Sequence, residues 1–111
     1  MAYLQSFAQF DINAINLYWY NLYAVESALQ DNANIVANGQ TYEDLFYLDA
    51  DDGFQFLELL FLGSGLAQDG AGNVVAGTVS FIAEYDILDG SYLWYAEGFS
   101  ASAASIFNAA L

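Results

Sequence analysis

Apolar and polar positions alternate with a period of two in several parts of this chain. Residues 6–12 show it first and predict a half-buried strand. Residues 14–29 carry two competing patterns. Ile15, Tyr18, Trp19, Leu22, Val25 and Leu29 recur at three and four, as in an amphipathic helix. Leu17, Trp19, Asn21 and Tyr23 alternate, and the aromatic tract 17–23 is rich in strand formers, which favours a strand at its centre. Residues 31–34 read as a loop. Ile35 and Val36 open a strand, and Asn38-Gly39 is a two-residue hairpin signal. A strand over 41–48 follows, then an acidic turn over 49–53. The next strand, 54–62, is apolar on both faces from Leu59 to Leu62, so it must be covered on both sides.

The second half is punctuated by glycine. Eight of the nine glycines lie between Gly53 and Gly98, and there is no proline. Residues 63–68 lead into a turn over 69–73. Strands are predicted over 74–85 and 91–99. The turn at 86–90 joins them, its Asp89-Gly90 suiting type I′ geometry. Residues 100–111 are helix-compatible, with Ser102 as cap and Ile106, Ala109 and Ala110 on one face. The expected fold is one mainly β domain over 1–111, an antiparallel meander or sandwich-like sheet with a short C-terminal helix. A β-solenoid is the alternative. It ranks second because no fixed-period repeat is found.

Charge changes this picture most. The 111 residues include fourteen Asp and Glu and no Lys, Arg or His. No side-chain ion pair can form, so each carboxylate must be solvated, hydrogen-bonded, protonated or bound to an external cation. The net charge of −14 opposes compaction and association until salt or a divalent cation screens it. Nucleic acid is excluded as a partner, because nothing basic can displace its counterions. An anionic membrane surface repels the chain. The apolar fraction of 58% and the aromatic content, nine Tyr, nine Phe and two Trp, exclude a disordered acidic tail. There is no cysteine, hence no disulfide framework. The first residues lack the basic stretch of a Sec-type signal.

Candidate chemistry is correspondingly narrow. Without His or Lys no base activates a Ser or Thr nucleophile, and zinc lacks its nitrogen and sulfur ligands. Phosphate handling lacks a lysine or arginine clamp. Adjacent acids such as Asp51-Asp52 and Glu43-Asp44 point to opposite faces of an extended chain, and Glu58 sits in an apolar strand, where burial raises its pKa. Calcium remains, since it takes oxygen ligands alone. Asp49-x-Asp51-Asp52-Gly53 resembles the start of a calcium loop, although its glycine falls one position early and no Glu closes it. Asp69 with Asn73, and Asp86 with Asp89, are similar pairs. Each also reads as an ordinary solvated turn. Tyr18, Trp19, Tyr20, Tyr23, Trp94 and Tyr95 suit either stacking platforms or a core.

Gly63-Ser64-Gly65-Leu66-Ala67-Gln68-Asp69-Gly70-Ala71-Gly72-Asn73-Val74-Val75-Ala76-Gly77-Thr78-Val79-Ser80, with Glu97-Gly98-Phe99-Ser100-Ala101-Ser102-Ala103, resembles the β-rich, repeat-free modules of RTX-like bacterial proteins exported by type I secretion. The likeness spans roughly residues 54–111. It implies an extracellular or cell-surface location reached without a cleaved N-terminal signal. It supplies no calcium ligand, because the family's glycine- and aspartate-rich nonapeptide is absent. The expectation is a non-catalytic extracellular structural protein that self-assembles, as homo-oligomer or polymer, through strand edges and aromatic faces. The alternative is a monomeric module for a glycan or other extracellular ligand, with Ca2+ as the one cofactor in view.

Overall fold

The computed structural model describes residues 17–71 and 74–108. The expected mainly β, antiparallel architecture with a short C-terminal helix is what it shows. Helix α1 (Leu17–Tyr23) leads into strand β1 (Ala24–Gln30). A small hairpin follows, β2 (Ile35–Ala37) and β3 (Gln40–Tyr42). Then come β4 (Asp44–Asp51), β5 (Phe56–Gln68), β6 (Val74–Asp86) and β7 (Ser91–Ser102), and the chain enters α2 (Ala103–Asn108). The main sheet has the order β1-β4-β5-β6-β7, all pairs antiparallel, with β2 and β3 as a separate pair. It is a meander, not a solenoid.

Both sheet faces are covered, which explains the doubly apolar stretch of β5. One face packs with the helices. Phe46, Leu48, Leu57, Leu59, Phe61, Val79 and Ile82 are buried there with Tyr20 of α1 and Ile106 of α2. On the other face the hairpin lays Tyr42 against Leu62, Phe81 and Ala83, with Ile35 and Ala37 alongside. Val79 and Phe81 would share a face in a regular strand. A bulge between them sends them to opposite cores.

Glycine serves close approach in the long β5–β6 ladder. A Cβ on Gly63 would lie 1.9 Å from the Thr78 carbonyl oxygen. A Cβ on Gly77, at φ 105°, would lie 2.6 Å from the Gly65 carbonyl oxygen. The Asn38-Gly39 hairpin has both residues left-handed, φ 51° and 80°, as a type I′ turn requires. Ser102 Oγ accepts from the Ser105 amide and caps α2 as expected. The strand expected over 6–12 and the residues Ala109 and Ala110 lie outside the described residues.

Several local expectations are corrected. The aromatic tract 17–23 is helical, not a strand. The helix sends Tyr20 into the core while Trp19 packs edge-on to it at 5.0 Å. The segment 41–48 is not one strand: Glu43 separates β3 from β4, and this turn places the hairpin over the sheet. The acidic turn begins later than expected, because β4 runs through Asp51 and the bend is at 52–55. Phe54 therefore lies in the turn, 90% exposed, not in a strand. Residues 63–68 continue β5 with bulges and do not break it. At 86–90 only Gly90 is left-handed, and its amide bonds to the Asp86 carbonyl at 2.8 Å, so the loop is not type I′.

Candidate functional site

The proposed calcium-loop acids mostly serve their own backbone. Asp51 accepts from the Gly53 amide at 2.8 Å. Asp52 accepts from the Phe54 and Gln55 amides, both at 2.8 Å, and from the Trp19 indole at 3.3 Å. Those Gln55 and Phe54 amides hold Asp52 below the usual carboxylate range. Asp69 accepts from Ala71, and Asp86 from Leu88 and Asp89. Asp89 accepts from the Ser91 hydroxyl. Asn73 lies outside the described residues. The structure does not gather these acids around one point.

It gathers others instead. Asp31, at the end of β1, meets Glu43 and Asp44 at the start of β4, with one carboxylate oxygen of each within 4.8 Å of the rest. Such an acidic triad is able to hold a metal ion. Asp44 is fully buried and accepts from the Asn32 amide at 3.0 Å and the Leu66 amide at 2.9 Å. Burial works to raise its pKa, but these amides and the adjacent carboxyls overcome that and hold it low. Asp31 is pushed up, chiefly by its hydrogen bond with Asp44, then by the Asp44 and Glu43 charges. In sequence Asp31 is only a loop acid. The pairing of Gln30 with Leu45 brings it to the other two.

A second acidic group runs across the sheet on the hairpin's face. Glu26 pairs with Asp49, and Asp49 with Glu58, on three adjacent strands. Directly opposed side chains on one face have Cβ atoms about 5 Å apart. Asp49 is only 7% exposed, and its Oδ1 meets no donor. Burial, then the hydrogen bond with Asp49 and the charges of Asp49 and Glu26, push Glu58 up to about 7. Burial also raises Asp49. Tyr47 donates to Glu26 at 2.8 Å. The row continues with Tyr85, opposite Glu58, and Tyr92, opposite Tyr85.

On the helix side Glu84 collects two donors: the Tyr20 hydroxyl at 2.5 Å and the Trp94 indole at 2.9 Å. Tyr20 is thus buried, and Trp19 and Trp94 are half-buried parts of the helix-side core. Tyr23 is 39% exposed and packs against Trp19. The side chain of Tyr18 lies outside the described set. Tyr95 stands apart. It stacks on Phe81 at 5.9 Å, and both line an open groove of about 440 Å³ with Tyr92, Ser91, Val36, Ala37 and Asn38. Tyr92 was not foreseen as a surface aromatic, because the sequence does not show that the hairpin stands beside β7.

Comparison with protein-family models, curated proteins and solved structures finds no match.

Proposed function

We propose that this chain is a non-catalytic, extracellular structural protein that assembles with its own copies through the edges of its sheet. The observation that carries this reading is the state of those edges. β1 and β7 are the outer strands of the five-stranded sheet, and among the described residues no further strand pairs with either. Natural edge strands are guarded by charged side chains, proline, bulges or a covering element, and β1 carries one charge, Glu26, with a bulge beside it. This chain has no lysine and no proline to place there. Leu22 and Tyr23, at the end of α1, and Val25, in β1, are 59%, 39% and 60% exposed. Pairing β1 of one copy with β7 of the next is head-to-tail and leads to a closed ring or an open polymer.

The charge supplies the control. At −14, monomers repel at low ionic strength. Calcium held by Asp31, Glu43 and Asp44, next to the end of β1, would lower that repulsion beside the joining edge. The test is light scattering at fixed protein concentration, in chelator and then in millimolar calcium. Particles that grow on adding calcium are expected. A monomer in both conditions rejects assembly.

A specific observation favours the second reading, a glycan-binding module. The groove beside β7 combines the rings of Phe81, Tyr92 and Tyr95 with the polar Ser91 and Asn38. Sugars bind by stacking on rings and hydrogen-bonding to such groups. Tyr92→Ala abolishing retention on a glycan, in a protein that stays monomeric, would establish this reading in place of assembly.

A further inference from the structure

At the tip of the β2–β3 hairpin, Asn38 is the only asparagine in the chain that is followed by glycine. Such a pair is open to an internal reaction. The next backbone nitrogen stands one ring closure away from the side-chain carbonyl carbon, and glycine brings no side chain to obstruct it. The structure leaves the approach clear. Asn38 is exposed, and nothing lies within 4 Å of the place a Cβ on Gly39 would take. Asn32 and Asn34 share the left-handed backbone of Asn38, but Ala33 and Ile35 follow them. The partner of Asn38 gives the tip its importance. Asn38 Nδ2 donates to the Glu97 carboxylate of β7 at 3.2 Å. That bond ties the hairpin tip to the main sheet, at the groove that Val36, Ala37 and Asn38 wall together with Tyr92 and Tyr95.

We propose that Asn38 is a site of spontaneous deamidation, and that the reaction is a slow one-way switch that frees the hairpin tip from β7. The Gly39 amide nitrogen gives its proton to solvent and bonds to Asn38 Cγ. The bond from Cγ to the side-chain nitrogen breaks, and that nitrogen takes protons from solvent and leaves as ammonia. Water then opens the cyclic imide. Attack at Cγ gives aspartate at position 38, and attack at the backbone carbonyl gives isoaspartate, with the chain rerouted through the side-chain carbon. The balance is asparagine plus water to aspartate plus ammonia, with no change of oxidation state. Either product puts a carboxylate in place of the amide that donated to Glu97. The two like charges then face each other, and the chain has no basic side chain to stand between them. Tyr42, packed on Leu62, Phe81 and Ala83, keeps the base of the hairpin in place, so the change is confined to the tip and the groove beside it. This switch depends on neither reading of the function.

The test holds the folded protein in mildly alkaline buffer and follows its peptic peptides by mass spectrometry. Deamidation at Asn38 is expected at least tenfold faster than at Asn32 or Asn34. Hydrogen exchange at the β2–β3 amides of the aged protein should be at least threefold faster, with β5 and β6 unchanged. Asn38→Asp should show the same faster exchange without ageing. Adding Glu97→Gln to it should restore slow exchange, because the new amide can donate to the new carboxylate. Circular dichroism checks that each variant is folded, and should Asn38→Asp fail to fold, the aged protein carries the exchange test by itself. An Asn38 that stays intact in the folded protein while it reacts in urea overturns the site, since the turn then protects it. Deamidation that leaves hairpin exchange unchanged overturns the switch.

Discussion

At the scale of single residues, the absence of any basic side chain decides how carboxylates behave. Asp44 and Asp52 are supplied with backbone amides, which keep them charged. Asp49 and Glu58 face each other, and in chelator only a proton can relieve them. The sign of the consequence follows from linkage. A carboxyl whose pKa is raised on folding contributes stability below its unfolded pKa, and this is lost as pH rises through the folded value. For Glu58 the window runs from its ordinary 4.5 to about 7. Stability in chelator should therefore fall between about pH 4.5 and 7. Glu58 is half-buried, so solvent screening reduces the effect to on the order of 1 kcal/mol. Urea midpoints across that range check it. Glu58→Gln should be markedly flatter, and an equally steep fall in that variant would assign the effect to overall charge repulsion.

At the scale of elements, legibility followed how local the cause was. The Asn38-Gly39 hairpin was readable because two adjacent left-handed residues are a demand few other sequences meet. Strands β6 and β7 and the Ser102 cap were readable for similar local reasons. Helix α1 was not. Its aromatic residues prefer strands, and what fixes the helix is tertiary: Tyr20 reaches Glu84 on β6, where Trp94 also donates. Tyr20→Phe tests that account. It leaves one oxygen of Glu84 without its donor in a part-buried setting, at a cost of about 1 kcal/mol. The loss should appear as a lower urea midpoint and a changed Trp19 emission. If the midpoint holds, α1 is docked by packing alone.

The acidic groupings were illegible for a related reason. Glu26, Asp49 and Glu58 are remote in sequence, and only register aligns them. A shift of one residue in either ladder would turn one member of the row to the helix face and break it. Asp49 itself looked like part of a turn because Asp51, Asp52 and Gly53 follow it, whereas its burial continues β4.

At the scale of the whole molecule, an open sheet meets an electrostatic brake. In the proposed assembly, hydrophobic contact and backbone pairing at β1 would favour joining, and like charge would oppose it at long range. Screening length falls from about 10 Å at 0.1 M salt to about 3 Å at 1 M. Association should therefore rise with salt even without calcium, and more steeply with calcium. Val25→Asp separates the two contributions. Val25 is 60% exposed on the outer strand, so the change leaves the core intact while placing a charge on the joining edge. The variant should keep the parent's circular dichroism and melting behaviour at low salt. In millimolar calcium it should need at least tenfold more protein to reach the same scattering. A variant that assembles as readily as the parent moves the contact away from β1. In that case the matching change on β7, Ser100→Asp, decides whether either edge takes part.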